Sequence, residues 1–387
     1  MTLFYKINFE LIYLILLLTQ LINASNNEIS KSNTTTLRPE STTTSYDKFK
    51  LQDKIVNRHD FEFILNPGHE ICKPLDEYDN VFLLIYVHSS PSNFKRRLSL
   101  RETWAKRSMF RDIRIIFMMG DVQDKKIKNL IQLENGIYKD IVQENFIDAY
   151  RNLTYKGIMA MKWISTYCPK AKFILKVDDD IISNIFILLR HLYSLENYKV
   201  LKPKSIMCLV WVGMVVMRDK NSKWYLSKDE FKDDVYGKYC SGSAYMFTND
   251  LPREMYNASL YLPFFWVDDY YISGLLARGV ESNYQFFNSL YIISSNLVEQ
   301  RFLNKKTCDH TVFGHSPGDI NRIYRIWNFI LKRQLSNFPN LMKGRANFIN
   351  KGDFVYLKNF EIPKNIWDQF LKIEVPISQD IVEYDNF

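Results

Sequence analysis

The stretch Phe173-Ile174-Leu175-Lys176-Val177-Asp178-Asp179-Asp180-Ile181 runs from an apolar, β-branched segment straight into three consecutive carboxylates. Such a segment predicts a buried strand, with the acids at its C-terminal end. In open α/β sheets that edge faces the crevice where ligands bind. Three adjacent negative charges repel one another, so when withdrawn from water they need a cation or a dense hydrogen-bond net. A hard divalent metal carrying phosphate oxygens meets that need. A solvated acidic turn is the alternative reading of the triplet alone.

Upstream, strands and helices alternate. Val81 to Val87 predicts a buried strand, and Ser89-Ser90-Pro91 a turn. Asn93 to Arg107 predicts a helix carrying Lys95, Arg96, Arg97, Arg101, Lys106 and Arg107, with Arg97 and Arg101 sharing a face at i, i+4. Arginine matches phosphate oxygens in bidentate fashion, so Arg97 and Arg101 are candidate nucleotide-binding residues, the alternative being a solvated charged face. Arg114 to Met119 predicts a strand, and Asp124 to Leu133 and Leu153 to Tyr167 helices. This β-α-β-α order predicts an α/β fold with a mainly parallel central sheet flanked by helices.

Downstream, Ser241-Gly242-Ser243 precedes a short strand, and small residues let a substrate approach the backbone closely. A second acidic pair, Asp268-Asp269, follows the aromatic stretch Leu262-Pro263-Phe264-Phe265-Trp266 and precedes a helix from Tyr270 to Arg278. The pair has two readings: capping of that helix, or a general base held ionised by its N-terminus.

The chain has 387 residues, 47% hydrophobic and 24% charged, ample for a core and for one large or two ordinary domains. Net charge is +8, but Lys and Arg are interleaved with acids and no basic block stands out, which argues against nucleic-acid binding. The N-terminus carries Lys6 and an apolar core, Leu11 to Leu18, of signal-segment length and short of the about 20 apolar residues of a spanning helix. Residues 1–24 are therefore either an uncleaved signal-anchor or a signal peptide cleaved after Ala24, and both lead into the secretory pathway. Residues 25–60, rich in Ser, Thr and Asn, predict a flexible stem. Glycosylation acceptor motifs stand at Asn23, Asn33, Asn152 and Asn257. Five cysteines suit two disulfides and one free thiol, with connectivity open, and none has zinc spacing.

Five segments together resemble the β-1,3-glycosyltransferases that include the β-1,3-galactosyl- and N-acetylglucosaminyltransferases. Arg96-Arg97-Leu98-Ser99-Leu100-Arg101-Glu102-Thr103-Trp104 is similar to the family's R-R-x-x-I-R-x-T-W, with Leu for Ile. Tyr150-Arg151-Asn152-Leu153-Thr154 resembles its Y-x-N-L-T. Lys176-Val177-Asp178-Asp179-Asp180 matches K-x-D-D-D, and Tyr239-Cys240-Ser241-Gly242-Ser243-Ala244-Tyr245 matches Y-C-S-G-x-x-Y. Asp268-Asp269-Tyr270-Tyr271-Ile272-Ser273-Gly274 looks like E-D-V-Y-x-G, with Asp for Glu and one extra residue before Gly274. The likeness spans roughly Val81 to Ser316, and five motifs in the right order make it specific.

The resemblance implies a GT-A-type nucleotide-sugar-binding fold over residues 61–335, a UDP-sugar donor (UDP-galactose, UDP-GlcNAc or UDP-GalNAc) and a divalent metal, Mn2+ or Mg2+. It implies inversion at the sugar carbon by a single displacement, with an acceptor glycan on a glycoprotein or glycolipid gaining a β-1,3 bond. Carried over residue by residue, Asp180 ligates the metal and Asp178 contacts the ribose or the metal shell. Asp179 contacts the donor, and Asp269 takes the acceptor hydroxyl's proton. Trp104, Ser241, Gly242 and Asp268 join the substrate-binding set. Family likeness also suggests a late His as metal ligand; of His310 and His315 we expect His315. A single-pass type II Golgi membrane protein with a lumenal catalytic domain follows, and residues 336–387 form an extension with no functional reading.

The chemistry agrees with this division, since a cation at the leaving diphosphate and a base on the opposite face of the sugar call for two separate acidic clusters. The main rival is a catalytically silent, sugar-binding or chaperone-like relative on the same fold; intact Asp180 and Asp269 argue against it. A calcium-binding adhesion protein fails because the triplet lacks the ligand ladder of a calcium loop.

Overall fold

The structure, a computed structural model, describes residues 49–73, 81–110, 113–292, 294–336, 348–351 and 354–357. The apolar N-terminal segment and most of the Ser/Thr-rich stretch lie outside the described residues, as does most of the 336–387 extension. No helix among the described residues is long and apolar enough to cross a membrane.

The strands are β1 (Phe63–Leu65), β2 (Leu83–His88), β3 (Ile113–Asp121), β4 (Ile141–Ile147), β5 (Phe173–Asp178), β6 (Ile181–Ser183), β7 (Ser205–Trp211), β8 (Tyr239–Thr248), β9 (Asn283–Phe286), β10 (Tyr291–Ile292) and β11 (Phe313–His315), with a late hairpin β12 (Phe348–Lys351) and β13 (Phe354–Leu357). The helices are α1 (Phe94–Glu102), α2 (Lys125–Tyr138), α3 (Leu153–Tyr167), α4 (Ile185–Tyr198) and α5 (Leu251–Ser259). Then comes α6, which opens at Asp268–Tyr270, widens to a π-helix over Tyr271–Leu276 and closes at Ala277–Gly279, followed by α7 (Ser295–Leu303) and α8 (Ile320–Ser336).

Eight strands form the main sheet in the order β1-β4-β3-β2-β5-β8-β7-β9. The run β4-β3-β2-β5 is parallel throughout, whereas β1 and β8 run antiparallel to their neighbours. The mixed, mostly parallel sheet with helices on both faces is the α/β architecture the sequence predicts. Strand β2 is buried at every position, as a central parallel strand covered on both faces must be. Its alternation sorts the molecule into two cores. Leu83, Ile85 and Val87 pack with α1 and α4, while Leu84 and Tyr86 pack with α3, α5 and α6. A small second sheet, β10-β11-β6, closes over the carboxyl end of β5.

Two disulfides brace this frame, Cys72–Cys168 and Cys208–Cys240, and Cys308 is free and buried. The folded body begins earlier than the expected boundary at residue 61. Phe49 is buried against Phe231 and Phe265, the Asn57 amide donates to the Ser259 carbonyl at 3.1 Å, and His59 meets Glu144 at 2.6 Å. A stem of polar composition hid these anchors, because single buried side chains leave no periodic trace. Helix α1 also ends sooner than predicted, at Glu102. Beyond it Trp104 turns fully into the core, where its indole N–H donates to the Ile181 carbonyl at 3.1 Å.

Gly120 sits where the β3–β4 register shifts, and its amide donates to Asp148 at 2.7 Å. A Cβ there would stand 2.6 Å from the Phe146 carbonyl oxygen, a backbone atom that cannot swing aside. Gly120→Ala is therefore expected to lower stability by about 2 kcal/mol, read from the denaturant midpoint.

Candidate functional site

Strands β2 and β5 end side by side, with His88 opposite Asp178 in the register. The turn after β2 thus meets the Asp triplet. Asp179 is drawn inward as an anchor: its carboxylate accepts from Ser89 Oγ at 2.7 Å, Asn93 Nδ2 at 2.8 Å and Arg96 Nη1 at 3.1 Å. Asp180 faces the small sheet. There β11 runs antiparallel to β6 with His315 opposite Ile181, and the Ser316 amide donates to the Asp180 carbonyl at 2.8 Å. This pairing brings His315 Nε2 to 3.4 Å from Asp180 Oδ2, and Arg96 Nη1 lies 3.2 Å from the same oxygen. His315, rather than His310, is the late histidine at the triplet.

Strand β8 runs antiparallel to β5, so its Ser241-Gly242-Ser243 start lies at the same edge as the acids. Lys176, in the middle of apolar β5, is 1% exposed, and its ammonium lies within a salt bridge of Asp178 Oδ1 at 2.5 Å and donates to the Gly242 carbonyl. Gly242 in turn backs Asp269: a Cβ on it would be 3.1 Å from Asp269 Cβ and 3.2 Å from its carboxylate. Ser241 is buried and pairs with Ser243 at 3.0 Å between hydroxyls.

Val267, before α6, has no side-chain acceptor, so the free amides of the first turn are left to the carboxylates of Asp268 and Asp269. Asp269 Oδ1 accepts from the Tyr270 amide at 2.8 Å, and the Ser273 hydroxyl holds the Asp269 carbonyl at 2.6 Å.

The two acidic groups titrate differently. Burial alone would raise the Asp180 carboxyl, but the His315 imidazole and the Arg96 guanidinium hold it below its ordinary value. Burial and the neighbouring Asp268 charge push Asp269 up to about 7, against the pull of the Tyr270 amide and Lys176. Asp268 is raised by burial, with Lys176 opposing. Asp178, though 42% exposed at its side chain, is pushed up to about 6 by the enclosing protein and by Asp180, again opposed by Lys176. Burial depresses the Lys176 ammonium, but Asp178 and Asp268 outweigh it and keep the group above its usual value.

Three expected substrate residues stand elsewhere. Arg97 is fully buried and bonds Glu134 through both Nε and Nη2, with the Ser90 and Pro91 carbonyls and the Ser89 hydroxyl as further acceptors. Arg101 binds Glu134 at 2.6 Å and Asp140 at 2.7 Å. With these bonds made, neither guanidinium is turned to the crevice, and Trp104 is core. The arginine that does reach the triplet is the neighbour Arg96. Lys176 is a further site residue beyond those expected, and a lysine inside an apolar strand is a legible signal, since a buried ammonium demands a carboxylate.

The signature of the galactosyltransferase family matches residues 95–288, and this interval contains every motif above except His315. The chain is 34% identical to mouse "Beta-1,3-galactosyltransferase 1" over 235 residues, 59% of this chain and 68% of the relative. It is 32% identical to human "Lactosylceramide 1,3-N-acetyl-beta-D-glucosaminyltransferase" over 320 residues, 75% of this chain and 81% of the relative. The chain belongs to the galactosyltransferase family. It is a glycosyltransferase of the β-1,3-galactosyl- and N-acetylglucosaminyltransferase kind, hence a hexosyltransferase. Among solved structures, the galactosyltransferase LgtC with donor and acceptor sugar analogues aligns at a TM-score of 0.32 and 9% identity, covering 64% of this chain and 95% of that one, a slight likeness.

The buried arginine network of this glycosyltransferase has a direct consequence. Arg97→Met is expected to cost about 3–5 kcal/mol, because it leaves a buried carboxylate short of a partner. A denaturant titration of the purified variant reads this; an unchanged midpoint would return Arg97 to the list of substrate contacts.

Proposed function

We propose that the protein is an inverting, metal-dependent β-1,3-glycosyltransferase. It moves galactose or an N-acetylhexosamine from a UDP-sugar to a hydroxyl of an acceptor glycan on a glycoprotein or glycolipid. The observation that carries this reading is the division of labour between the two acidic groups. One carboxylate group, at Asp180, sits beside a histidine and is held ionised; the other, Asp269, is kept at a high proton affinity behind Gly242.

Among the described residues no three His, Cys, Asp or Glu side chains converge as a ready-made cage. That donor set still fits a hard divalent ion of the manganese or magnesium kind. Such ions are held by one or two protein groups and complete their shell with phosphate oxygens and water. The 3.4 Å between His315 Nε2 and Asp180 Oδ2 is close to the about 3 Å separating adjacent ligands at ordinary bond lengths. Asp180 and His315 would hold the ion, with Asp178 beside them. When bound, the ion supplies positive charge to the leaving diphosphate.

The protein's own groups do the rest. Asp179 fixes the turn after β2, so that Ser89, Asn93 and Arg96 converge on the triplet. Asp269 is the general base that accepts the acceptor hydroxyl's proton as that oxygen attacks the sugar carbon. Its raised proton affinity strengthens it as a base at near-neutral pH. Asp268, half-buried in the field of Lys176, keeps the base electrostatically poised. We place the enzyme in the Golgi as a single-pass type II membrane protein with a lumenal catalytic body. This rests on the apolar Leu11 to Leu18 run and the Ser/Thr-rich segment after it.

Incubation with manganese, each UDP-sugar in turn and a panel of β-galactose- and hexosamine-terminated acceptors tests the whole reading. Product from one donor, lost on chelation, supports it, whereas tight UDP binding with no turnover points to a silent relative. Asp269→Asn is expected to lower kcat by about 10³-fold or more while leaving metal-dependent donor binding intact. In the native enzyme kcat/KM is expected to rise with pH through a midpoint near 7 as Asp269 loses its proton. The sign for stability is opposite. A carboxyl with a raised folded value favours the fold at low pH, and that contribution is lost as pH rises through about 7. A flat rate profile between pH 5 and 9 would remove Asp269 from the role. Asp180→Asn is expected to weaken manganese-dependent UDP binding at least about tenfold by calorimetry, and unchanged affinity would take the metal role from it.

A further inference from the structure

One surface beside the acidic pair has no part in the reading above. Tyr150, in a 3-10 turn (Tyr150–Asn152) leading into α3, is 45% exposed, and Trp224, on the long loop between β7 and β8, is 48% exposed. Large aromatic rings are normally drawn inward, so two held at the surface side by side invite a partner. Lys223 joins them, its Nζ lying 4.5 Å from the Trp224 ring centroid and 5.7 Å from that of Tyr150.

The pair is tied closely to the base. The Tyr150 ring stands 6.3 Å from that of Trp266, two residues before Asp268. Thr154 Oγ1, one turn on, donates to the Phe265 carbonyl at 2.7 Å and fixes the start of α3 against this segment. Arg151 lies with its guanidinium carbon 4.3 Å from the Trp266 centroid. The Tyr150 phenol is pushed up to about 12, first by burial of its hydroxyl and then by the Asp268 and Asp269 charges, so both carboxylates lie within its electrostatic reach.

The loop carrying Trp224 is built to be stiff. Arg218 donates to four of its carbonyls: Leu226 at 2.8 Å, Ser227 at 3.0 Å, Phe231 at 2.8 Å and Asp233 at 2.6 Å. The Leu226 amide returns to the Met217 carbonyl at 3.0 Å, and the Trp224 amide is held by Ser222 Oγ at 3.2 Å. An exposed indole fixed in advance loses little entropy when something lies on it.

We propose that Tyr150, Trp224 and Lys223 form the acceptor subsite, where a pyranose ring of the acceptor glycan lies with its C–H face on the aromatic rings. Lys223 donates to a ring hydroxyl, and the hydroxyl to be glycosylated is thereby turned toward Asp269. This rests on the reading of Asp269 as base. A sugar fits the surface because it too has an apolar face and a polar edge. A hydrocarbon chain laid there would cover the Lys223 ammonium without pairing it.

The test is steady-state kinetics of the full protein with manganese, its active UDP-sugar and β-galactose- or hexosamine-terminated oligosaccharides. Saturation-transfer NMR on the same sugars reads binding directly. Trp224→Ala is expected to raise the acceptor KM about tenfold and to weaken the NMR signal, with donor KM, donor hydrolysis without acceptor, and melting temperature unchanged. Trp224→Phe should recover most of the loss. An acceptor KM within twofold of the native value, or an equal rise in donor KM, would overturn the subsite, as would failure of the native protein to bind any of these sugars. The base is probed separately: if Asp269→Asn still transfers while Trp224→Ala raises the acceptor KM, the base reading falls and the platform stands.

Discussion

Lys176 is a cation in the middle of a strand that water hardly reaches, and the site is arranged around that fact. A buried ammonium is tolerated only when oxygens surround it. Here they come from three elements: the Asp178 carboxylate at the end of β5, the Gly242 carbonyl at the start of β8, and the field of Asp268 and Asp269 at the mouth of α6. Satisfying one charge therefore fixes the relative positions of both acidic groups. It also explains a glycine at 242, since the backbone must come close to Lys176 on one side and to Asp269 on the other, where a Cβ would crowd the carboxylate at 3.2 Å.

A second ionic assembly, Arg97-Arg101-Glu134-Asp140, supports the first from below. It joins α1 to the end of α2 and the turn before β4, and through the Ser89 hydroxyl and Ser90 carbonyl it grips the turn that holds Asp179. Buried pairs of this kind add little net stability, yet losing one member is costly. The basic motif that reads like a phosphate clamp is thus mostly scaffold, and only Arg96, partly exposed, extends from it to the triplet.

The parts of this architecture legible in the sequence are those with a strong local pattern. Parallel strands buried on both faces leave unbroken apolar runs, so β2, β3 and β5 are plain in the chain, and α3 is read to its ends at Leu153 and Tyr167. The Asp triplet is placed correctly because a strand must end somewhere and its acids then mark the crevice. What spacing cannot supply is direction. That Arg97 and Arg101 share a helix face is visible, but whether the face meets phosphate or Glu134 depends on α2, more than 30 residues away. Trp104 fails for the same reason, since its partner is the Ile181 carbonyl. The early anchors Phe49 and His59 leave no periodicity, and the β11 pairing that selects His315 over His310 is a contact across the fold.

The electrostatic contrast between the two acidic groups follows from which partners each can reach. Asp180 looks outward to an imidazole and a guanidinium, and together they stabilise its charge more than burial penalises it. Asp269 looks inward to an aromatic wall of Tyr236, Tyr239 and Tyr270 with another carboxylate adjoining, and Lys176, already paired with Asp178, offsets only part of the cost. Two carboxyls of the same type are thereby pushed to opposite sides of their ordinary value, one suited to holding a cation and the other to accepting a proton. The separation needs no special residue at either position. It needs only that Asp180 reach His315 and Arg96, while Asp269 has no more than the field of a lysine already committed to Asp178.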